Sequence, residues 1–490
     1  MPDFRFVAGA YVSASIYQDD QALINWYPEI DGAKNPGVRQ MDVVGDRGVI
    51  ALYPRPGLVP VCTPKNAPVR AIYSLPGQTQ ILAVVGNTLY LIDASFVPTA
   101  VGTLLSTSGP VSITENGVSA YLVDGTNRYT YDWGTNTFAV VSGADGAFTG
   151  GTRCDNVDGF IIYNKPNSTQ WGCTDVLSTA SSAQNFASKV GYSDNLVTLI
   201  SDHRQVFLLG ERTSEWWADV GAYPFPFQVI PGTLMQHGIV SPFSVARLGE
   251  SVAFLSHDDR GQGVVVVMQG YTPVRVSTHA IEADIAKMAA TSTINDAIAF
   301  SYQFNGHEFY HLTFPTADKT WCYDMATGFW HQLASRDSKN NLHRHLGNCA
   351  CVFRGYVLMG DYQNGNIYKL DADTYTDNGA VFPCVRRAPH ITNNLKRVFY
   401  RSLQLQFQPG VGISSGQGAD PQAMLRWSDD GGSTYGNEHW SSIGQMGAYK
   451  NRAIWRRLGT ARDRIFEVTV TDPVYRVIVS AELDAEAGMH

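Results

Sequence analysis

The sequence is poor in charge and lacks the long apolar runs that would place it in a membrane. Charged residues make up 16% of its 490 residues, against about 25% in an average soluble protein. No stretch approaches the roughly 18 consecutive apolar residues of a membrane helix. The first residues show no basic segment followed by a long apolar one, so we expect no secretion signal and synthesis in the cytoplasm.

The sequence also lacks the common catalytic signatures. It contains no GxxxxGK[ST] phosphate loop and no GxGxxG placed between a strand and a helix, the marks of nucleotide-binding proteins. We also predict no GxSxG elbow joining a strand to a helix. For a chain of this length these absences favour a protein that is not an enzyme, and we predict no cofactor.

Cysteine and histidine are present but do not form a recognisable metal site. The seven cysteines are an odd, scattered set, which is typical of reduced thiols in the cytosol. Cys349 and Cys351 are too close for a CxxC motif. Five histidines lie between His307 and His345, but the first two are four residues apart on a predicted strand, roughly 13 Å from one another. We predict structural or surface histidines and thiols, and no metal.

The net charge is −8. This balance argues against an affinity for nucleic acid that depends on broad neutralisation of phosphates. It remains compatible with a mildly acidic wall past which DNA moves without sticking.

What the sequence does contain is a β-strand pattern with a recurring phrase. An aromatic residue followed within a few residues by Asp recurs at steps of 39 to 47 residues. One step is 105 residues long, close to two ordinary steps, and the expected member of the repeat is missing around Met268–Tyr271. Such a period of strands and turns is typical of propeller blades, each a four-stranded sheet. We predict an all-β fold whose main part is a β-propeller of about seven blades, with six to eight acceptable; the alternative is a large β-sandwich with accidental spacing. The aspartates of the phrase are Asp93, Asp132, Asp175, Asp219, Asp324 and Asp371.

The pattern of apolar, polar and turn residues changes twice along the chain. Residues 1–67 are irregular and predict an N-terminal arm that packs on the propeller or on neighbours. Residues 68–380 carry the propeller pattern, interrupted by one helix over Thr278–Ala290 with Thr278 as its N-cap. Residues 381–490 predict a C-terminal β-sandwich.

A glycine-rich turn follows a strand of this C-terminal region. It matches the Asp-box pattern, S-x-D-x-G-x-T followed by an aromatic residue, in which Asp caps backbone N–H groups and Gly supplies positive φ. We predict a structural turn; the alternative is a relic of a glycosidase, which would also need a convergent pair of acids. The residues are Ser428, Asp430, Gly432, Thr434 and Tyr435.

Two groups of residues are candidates for contact with a partner. The first is the dense basic run with its interleaved tryptophan: Lys450, Arg452, Trp455, Arg456, Arg457, Arg462 and Arg464. It predicts contact with a protein partner or a neighbouring subunit; a solvated strand face and contact with nucleic acid are the alternatives. The second is the pair Trp216 and Trp217, for which the alternative is the core of a blade.

Three segments of the sequence, taken in order, resemble a known family. They are Glu211–Ile281, above all its LMQHGI, VAFLSH and VSTHAI, the C-terminal SDDGGSTY and RAIWRRL, and more weakly INWYP at Ile24–Pro28. Their order and spacing resemble the packaged-DNA stabilisation protein of short-tailed Salmonella-type bacteriophages, a head-to-tail connector component also described as the tail hub or nozzle.

The resemblance implies a virion protein of the neck or tail that is not an enzyme. It implies a homohexameric ring that continues the DNA channel below the portal and adaptor rings, retains packaged DNA until ejection, and offers attachment to a tail needle and to tailspikes or fibres. Packaged DNA would pass without sequence-specific binding, and no membrane anchor is expected. The alternative is a carbohydrate-binding or glycan-cleaving receptor-recognition propeller of a phage tail, which predicts a pocket at the propeller's mouth lined by aromatic residues and carboxylates.

Overall fold

A computed structural model describes residues 4, 6–13, 21–30, 49–141, 143, 146–258, 260–394 and 396–488. Within these residues the chain forms seven four-stranded antiparallel sheets in succession, followed by two larger sheets packed face to face. The predicted class, a β-propeller of about seven blades followed by a C-terminal β-sandwich, is confirmed.

The first five blades are each built from four consecutive strands. Blade 1 comprises Val69–Ser74, Ile81–Val85, Thr88–Ile92 and Pro98–Thr103; blade 2 Ser112–Glu115, Ser119–Val123, Arg128–Asp132 and Thr137–Val141; blade 3 Cys154–Val157, Phe160–Asn164, Gln170–Cys173 and Phe186–Ser188; blade 4 Leu196–Asp202, Gln205–Gly210, Ser214–Asp219 and Phe227–Val229; and blade 5 Ala246–Leu248, Ser251–His257, Gly263–Gln269 and Thr272–Arg275.

Blade 6 follows the helix, and blade 7 closes the ring with a strand from the N-terminal segment. Blade 6 comprises Ile298–Phe304, His307–Phe314, Lys319–Asp324 and Trp330–Leu333; blade 7 comprises Gly347–Phe353, Tyr356–Asp361, Ile367–Asp371 and, as its fourth strand, Gly57–Cys62. The fourth strand therefore comes from the segment predicted as an arm. It pairs antiparallel with Ile367–Asp371, Gly57 lying opposite Asp371.

The repeated aspartate has a physical role in the blades. In six blades it ends the third strand or follows it within two residues, and its carboxylate accepts hydrogen bonds in the turn that follows. Asp93, for example, accepts from the backbone of Ser95 and Val97 at 2.8 and 2.9 Å. Blade 5 replaces this turn with a two-residue hairpin in which Gly270 has φ 59. A tight turn of this kind needs no capping carboxylate, which explains the missing phrase.

Apolar side chains fill the space between successive blades, with one cluster for each pair of neighbouring blades. One cluster joins blade 7 to blade 1 through Phe353, Leu358, Val69 and Ile81, which closes the circle. The predicted helix forms over His279–Thr291, and the backbone N–H of Ile281 donates to Thr278 Oγ1. The helix buries Ile281, Ile285 and Met288 against blades 5 and 6.

The sandwich has two sheets, and both recruit strands from the N-terminal segment. One contains, in spatial order, Ala22–Ile24, Cys384–Arg387, Asp463–Val470, Gln422–Ser428 and His439–Ser442, with Ile391–Thr392 also on Asp463–Val470; the other contains Trp26–Ile30, Val49–Pro54, Ile478–Ala487, Val398–Phe407 and Ala453–Ala461. Outside the sandwich, Ser335–Arg336 and Leu342–His343 form a separate two-stranded sheet, and Thr376–Asp377 with Ala380–Val381 extends the sheet of blade 7.

The propeller and the sandwich share a sheet. Strand Ala22–Ile24 pairs in parallel with the last strand of blade 6, Ile24 lying opposite Gln332, and antiparallel with Cys384–Arg387. The described strands between Ala22 and Cys62 therefore belong first to one sandwich sheet, then to the other and finally to blade 7. The parts of the predicted arm at 1–3, 5, 14–20 and 31–48 lie outside the described residues.

Candidate interaction surface on the sandwich

The predicted basic run from Lys450 to Arg464 divides between the two sandwich sheets. Ala453–Ala461 is the edge strand of one sheet, and Asp463–Val470 lies inside the other. Arg462 is exposed at the turn between them. The run therefore does not form one continuous basic surface, and its members differ in role.

A bulge exposes two consecutive arginines on the edge strand. Arg456 lies opposite Ser402, and the next register pair is Gly459 with Tyr400. The edge strand thus holds one extra residue, and Arg457 takes a φ of 62. A bulge of this kind redirects a side chain, and here it replaces the usual alternation by two exposed side chains in a row.

Four exposed cations on and beside this strand form what we term the basic strip: Lys450, Arg452, Arg456 and Arg457. Arg452 is 3.4 Å from Gln404 Oε1. Within the described part of the chain, none of the four side chains forms an ion pair. The strand also lies at the edge of its sheet, where Ser441 Oγ accepts from the backbone N–H of Ile454 and donates to its carbonyl. The strip therefore combines unpaired charge with a partly open edge, a combination that favours contact with another chain.

An acidic row that the sequence analysis missed lies on the same outer face. The strand Ile478–Ala487 exposes Glu482, Asp484 and Glu486, and Asp484 lies opposite Ser402, the partner of Arg456. The two rows are therefore separated by one strand, roughly 10 Å, and Arg401 of that strand pairs with Glu486 of the acidic row. In the sequence, the acidic row is visible as the alternation of acidic residues in AELDAEA. This alternation is typical of a strand with one solvated face.

Trp455 and Arg464, which were predicted with the strip, are structural. Trp455 is buried in the sandwich core and donates its indole N–H to the carbonyl of His439 at 2.8 Å. Arg464 is 2% exposed and donates to both carboxylate oxygens of Asp429, at 2.6 and 2.7 Å. Its guanidinium also lies over the rings of Tyr400 and Trp427. Burial removes both side chains from contact with a partner.

The predicted Asp-box residues form a hydrogen-bonded turn. Asp430 accepts from Ser428 Oγ at 2.6 Å and from the N–H and hydroxyl of Thr434 at 2.9 and 2.6 Å. These bonds favour the ionised carboxylate and lower the pKa of Asp430 to about 2. Gly432 has φ 89 and donates its N–H to Ser428 Oγ at 2.9 Å. These donors and acceptors are used within the turn itself, which fits a structural role.

Tyr435, the aromatic residue of the motif, packs between two arginines. The guanidinium groups of Arg387 and Arg426 lie 5.1 and 4.9 Å from its ring centroid. Both arginines also pair with Glu467, which is 1% exposed. The motif is thereby attached to the sandwich by a charge cluster rather than arranged as a pair of catalytic acids.

Trp216 and Trp217 point to opposite faces of blade 4, as neighbours on a strand must. Trp216 stacks on Phe207 with ring centroids 4.3 Å apart and packs towards blade 5. Trp217 packs edge-on against Trp171 of blade 3 at 5.4 Å. They are 3% and 5% exposed. Their side chains pack between blades, so the two tryptophans are not part of the interaction surface.

The histidines of blade 6 lie in its core or in local ion pairs. His307 is held between Asp324 at 2.8 Å and Glu29 at 3.0 Å. Burial alone would lower its pKa, but the hydrogen bonds and charges of the two carboxylates outweigh burial and raise the pKa to about 9. Burial lowers the pKa of His311 to about 3 and that of His331 to about 4. The first is therefore charged at neutral pH, and the other two are neutral.

No group of three or more metal-ligating side chains is found among the described residues. Each of the seven cysteines is a free thiol. A GxSxG string does occur at Gly412–Gly416, but it lies in a loop of the sandwich and does not join a strand to a helix. No helix in the described ranges is long and apolar enough to span a membrane.

Two cavities are relevant to the predicted glycan-binding alternative. A cavity of about 160 Å³ between the first strands of several blades is lined by Arg70 and Arg153 and by no carboxylate. A wider cleft of about 440 Å³ lies where the propeller meets the sandwich and is lined by several tyrosines and by Asp373. Among the described residues, the axial cavity therefore does not combine aromatic residues with carboxylates in the way that the alternative requires.

Comparison with protein families gives two matches that follow one another along the chain. One family model, named for phage stabilisation, describes the β-propeller of bacteriophage P22 Gp10 and matches residues 63–375. A second describes the β-sandwich of the same protein and matches residues 384–486. The chain belongs to the bacteriophage P22 Gp10 family. A comparison with curated proteins gives no match.

The family confirms the resemblance found in the sequence. The chain is a P22-like phage DNA-stabilisation protein, with a structural role in the neck or tail of the virion. The family is one of structural proteins, in agreement with the prediction that this chain is not an enzyme.

Proposed function

We propose that the chain assembles into a homohexameric ring of the phage neck or tail. The ring continues the DNA channel below the portal and adaptor, retains packaged DNA, and offers attachment to a tail needle and to tailspikes or fibres. Support comes from the family and from the low charge content, which suits a protein that buries surface against other subunits. The net charge of −8 suits a channel whose wall does not bind the phosphate backbone of the DNA that passes through it.

The observation that carries the assembly role is the basic strip beside the acidic row. A face that presents cations on one strand and anions two strands away is complementary to a second copy shifted by that distance. Such contacts between unlike patches build closed rings when the rotation closes. The same strip also suits an acidic patch on the adaptor, since opposite potentials accelerate and orient association. Arg462, exposed at the end of the strand, extends this surface.

The propeller and the sandwich take different parts in this proposal. We assign residues 68–380 to the wall and the loop faces, and residues 381–490 to contacts that include the basic strip. Residues 1–67 join the two units through strands that enter both. Protected edges leave the propeller faces free for neighbours, whereas the sandwich retains an exposed edge strand for pairing.

Sedimentation velocity with charge reversal tests the proposal. The wild-type chain is measured alone and with purified portal and adaptor rings, beside Arg456→Glu/Arg457→Glu. The matched control is Arg212→Glu/Arg260→Glu, which reverses two exposed arginines of the propeller. We expect a ring-sized species for the wild type and the control, and its loss for the strip variant. Absence of association in every wild-type mixture contradicts the ring, and equal assembly of both variants contradicts the strip.

The glycan-binding alternative is tested separately by a glycan array with the same wild-type protein. We expect no binding, because the axial cavity lacks carboxylates and the Asp box is occupied by its own hydrogen bonds. Specific binding of a glycan, lost on substitution of Asp373 in the junction cleft, would support the alternative.

A further inference from the structure

Among the described residues, the axial cavity of the propeller is lined by two guanidinium groups and by no carboxylate. It lies between the first strands of blades 1, 2, 6 and 7, with Arg153 before the first strand of blade 3. Its volume is about 160 Å³, enough for several water molecules or one small ion. None of the residues that line it is Asp or Glu. The lining therefore carries two cationic side chains, while the carboxylate of Asp155, outside the lining, acts on Arg153.

Arg70 is a fixed charge in the wall. Its five N–H groups all donate within the protein: to the carbonyls of Gly109, Gly86, Ser106 and Ser108 and to the hydroxyl of Ser106, at 2.6 to 3.0 Å. A guanidinium has five donors, so Arg70 has none left for a ligand. It contributes positive potential, and burial lowers its pKa.

Arg153, in contrast, offers its donors to the cavity. Within the described residues its side chain makes no hydrogen bond and no ion pair; the guanidinium lies 5.8 Å from the ring centroid of Phe243. The nearby carboxylate of Asp155 is engaged by Arg247 at 2.6 Å and by the backbone N–H of Ser201 at 2.8 Å. Burial lowers the pKa of Arg153. A cation in this position carries a desolvation cost that an anion would offset.

A second donor faces the same space. Asn348 lines the cavity, and its side-chain amide donates one N–H to the carbonyl of Val69 at 2.9 Å. An amide nitrogen has two N–H groups, so one remains for a ligand. Arg153 and Asn348 lie on different blades, so the donors approach the cavity from different sides.

We propose that this cavity binds one small oxyanion such as inorganic phosphate, held by Arg153 and Asn348 in the positive field of Arg70. The anion bridges blades 3 and 7 and so stabilises the ring of blades from its axis. The volume admits an ion of about five heavy atoms. The ligand class is therefore a small oxyanion. This inference does not depend on the proposed ring assembly.

Isothermal titration calorimetry of the full-length chain with sodium phosphate tests the site. We expect one phosphate per chain for the wild type and an affinity at least tenfold weaker for Arg153→Gln. Arg153→Lys, which keeps the charge but not the fork of donors, should fall between them. The control Arg212→Gln removes an exposed arginine of the propeller and should bind as the wild type does.

A further pair of variants distinguishes binding in the cavity from binding of phosphate to surface arginines. Ala350→Leu fills the cavity without removing a charge, since Ala350 lines it, and should also abolish binding; far-UV circular dichroism establishes that the variants fold. Arg456→Gln/Arg457→Gln should bind phosphate normally. Binding that survives in both Arg153→Gln and Ala350→Leu, or is lost with the strip variant, overturns the site. Absence of phosphate binding in the wild type overturns it as well.

Discussion

Arg55 and Asp377 form a buried bidentate ion pair at the junction of the propeller and the sandwich. Arg55 Nη1 and Nη2 donate to the two carboxylate oxygens at 2.9 and 2.5 Å, and the residues are 2% and 4% exposed. The guanidinium also donates to Asn25 Oδ1 at 2.9 Å and lies 3.7 Å from the ring centroid of Phe382. The pair therefore holds the N-terminal strands against the segment that leaves blade 7.

Removing the charge of Asp377 should destabilise this junction strongly. Asp377→Asn leaves Arg55 as a buried charge without its counterion, a change that costs about 3–5 kcal/mol in comparable sites. We expect the urea midpoint to fall accordingly, measured by tryptophan fluorescence. The control is Arg401→Gln, because Arg401 pairs with Glu486 on the surface and such pairs contribute about 0–1 kcal/mol. Equal midpoints for the two variants would show that the junction pair contributes little.

Stability should decrease at alkaline pH because of His307. Its pKa is raised to about 9 from the usual 6.5, so its contribution is fully present below pH 6.5 and is lost as the pH rises through 9. A shift of this size corresponds to about 3 kcal/mol. We expect the unfolding midpoint to fall as the pH rises from about 6.5 to beyond 9 in the wild type, and to fall less in His307→Gln. A parallel decline in both proteins would assign the effect to other groups.

Stability should also decrease at acidic pH because of the buried neutral histidines. The pKa of His311 is lowered to about 3 and that of His331 to about 4, so the unfolded chain binds protons that the folded chain does not as the pH falls below about 6.5. His311 stacks on Phe300 at 4.2 Å; His311→Phe should therefore lose less stability than the wild type between about pH 6.5 and 5. Because both proteins contain the same carboxylates, the difference between their pH profiles of stability reports the histidine alone.

The arginines at the end of the basic run should separate into structural and surface residues. Arg464→Gln removes charged hydrogen bonds to Asp429 from a buried position, with an expected cost of about 2 kcal/mol. Arg456→Gln, on the exposed bulge, should change the free energy of unfolding by less than about 0.5 kcal/mol. Chemical denaturation followed by the fluorescence of the sandwich tryptophans measures both. If Arg464→Gln leaves the free energy of unfolding unchanged, Arg464 is again a candidate for contact with a partner.

Local chemistry explains which features were predictable from the sequence. The repeated aspartate predicts the turn after the third strand in six of the seven blades, and Thr278 with Ile281, Ile285 and Met288 predicts the helix. Neighbours in sequence decide both structures. The Asp box is equally local.

The features missed depend on contacts between distant parts of the chain. No periodicity indicates that Gly57 lies opposite Asp371 or that Ile24 lies opposite Gln332. The burial of Arg464 depends on Asp429, 35 residues away, and the exposure of Arg457 depends on a bulge that breaks the alternation of the strand. In the sequence alone, such a run of arginines predicts a single basic face.

Closure of the ring should depend on the absence of a side chain at Gly57. A Cβ at this position would lie 2.4 Å from the carbonyl oxygen of Thr374 and 2.6 Å from that of Thr376. Because both are backbone atoms, the clash can be relieved only if the strand moves. Because Gly57 begins the fourth strand of blade 7, Gly57→Ala should loosen the closure and cost about 1–3 kcal/mol, the range for overpacking. The matched control is Gly436→Ala, whose Cβ would meet only the carbonyl oxygen of Trp427 at 3.8 Å. Hydrogen exchange followed by mass spectrometry should show faster exchange in Ile367–Asp371 for the first variant and not for the second. Unchanged protection of that strand in Gly57→Ala would mean that the N-terminal strand is not what closes the propeller.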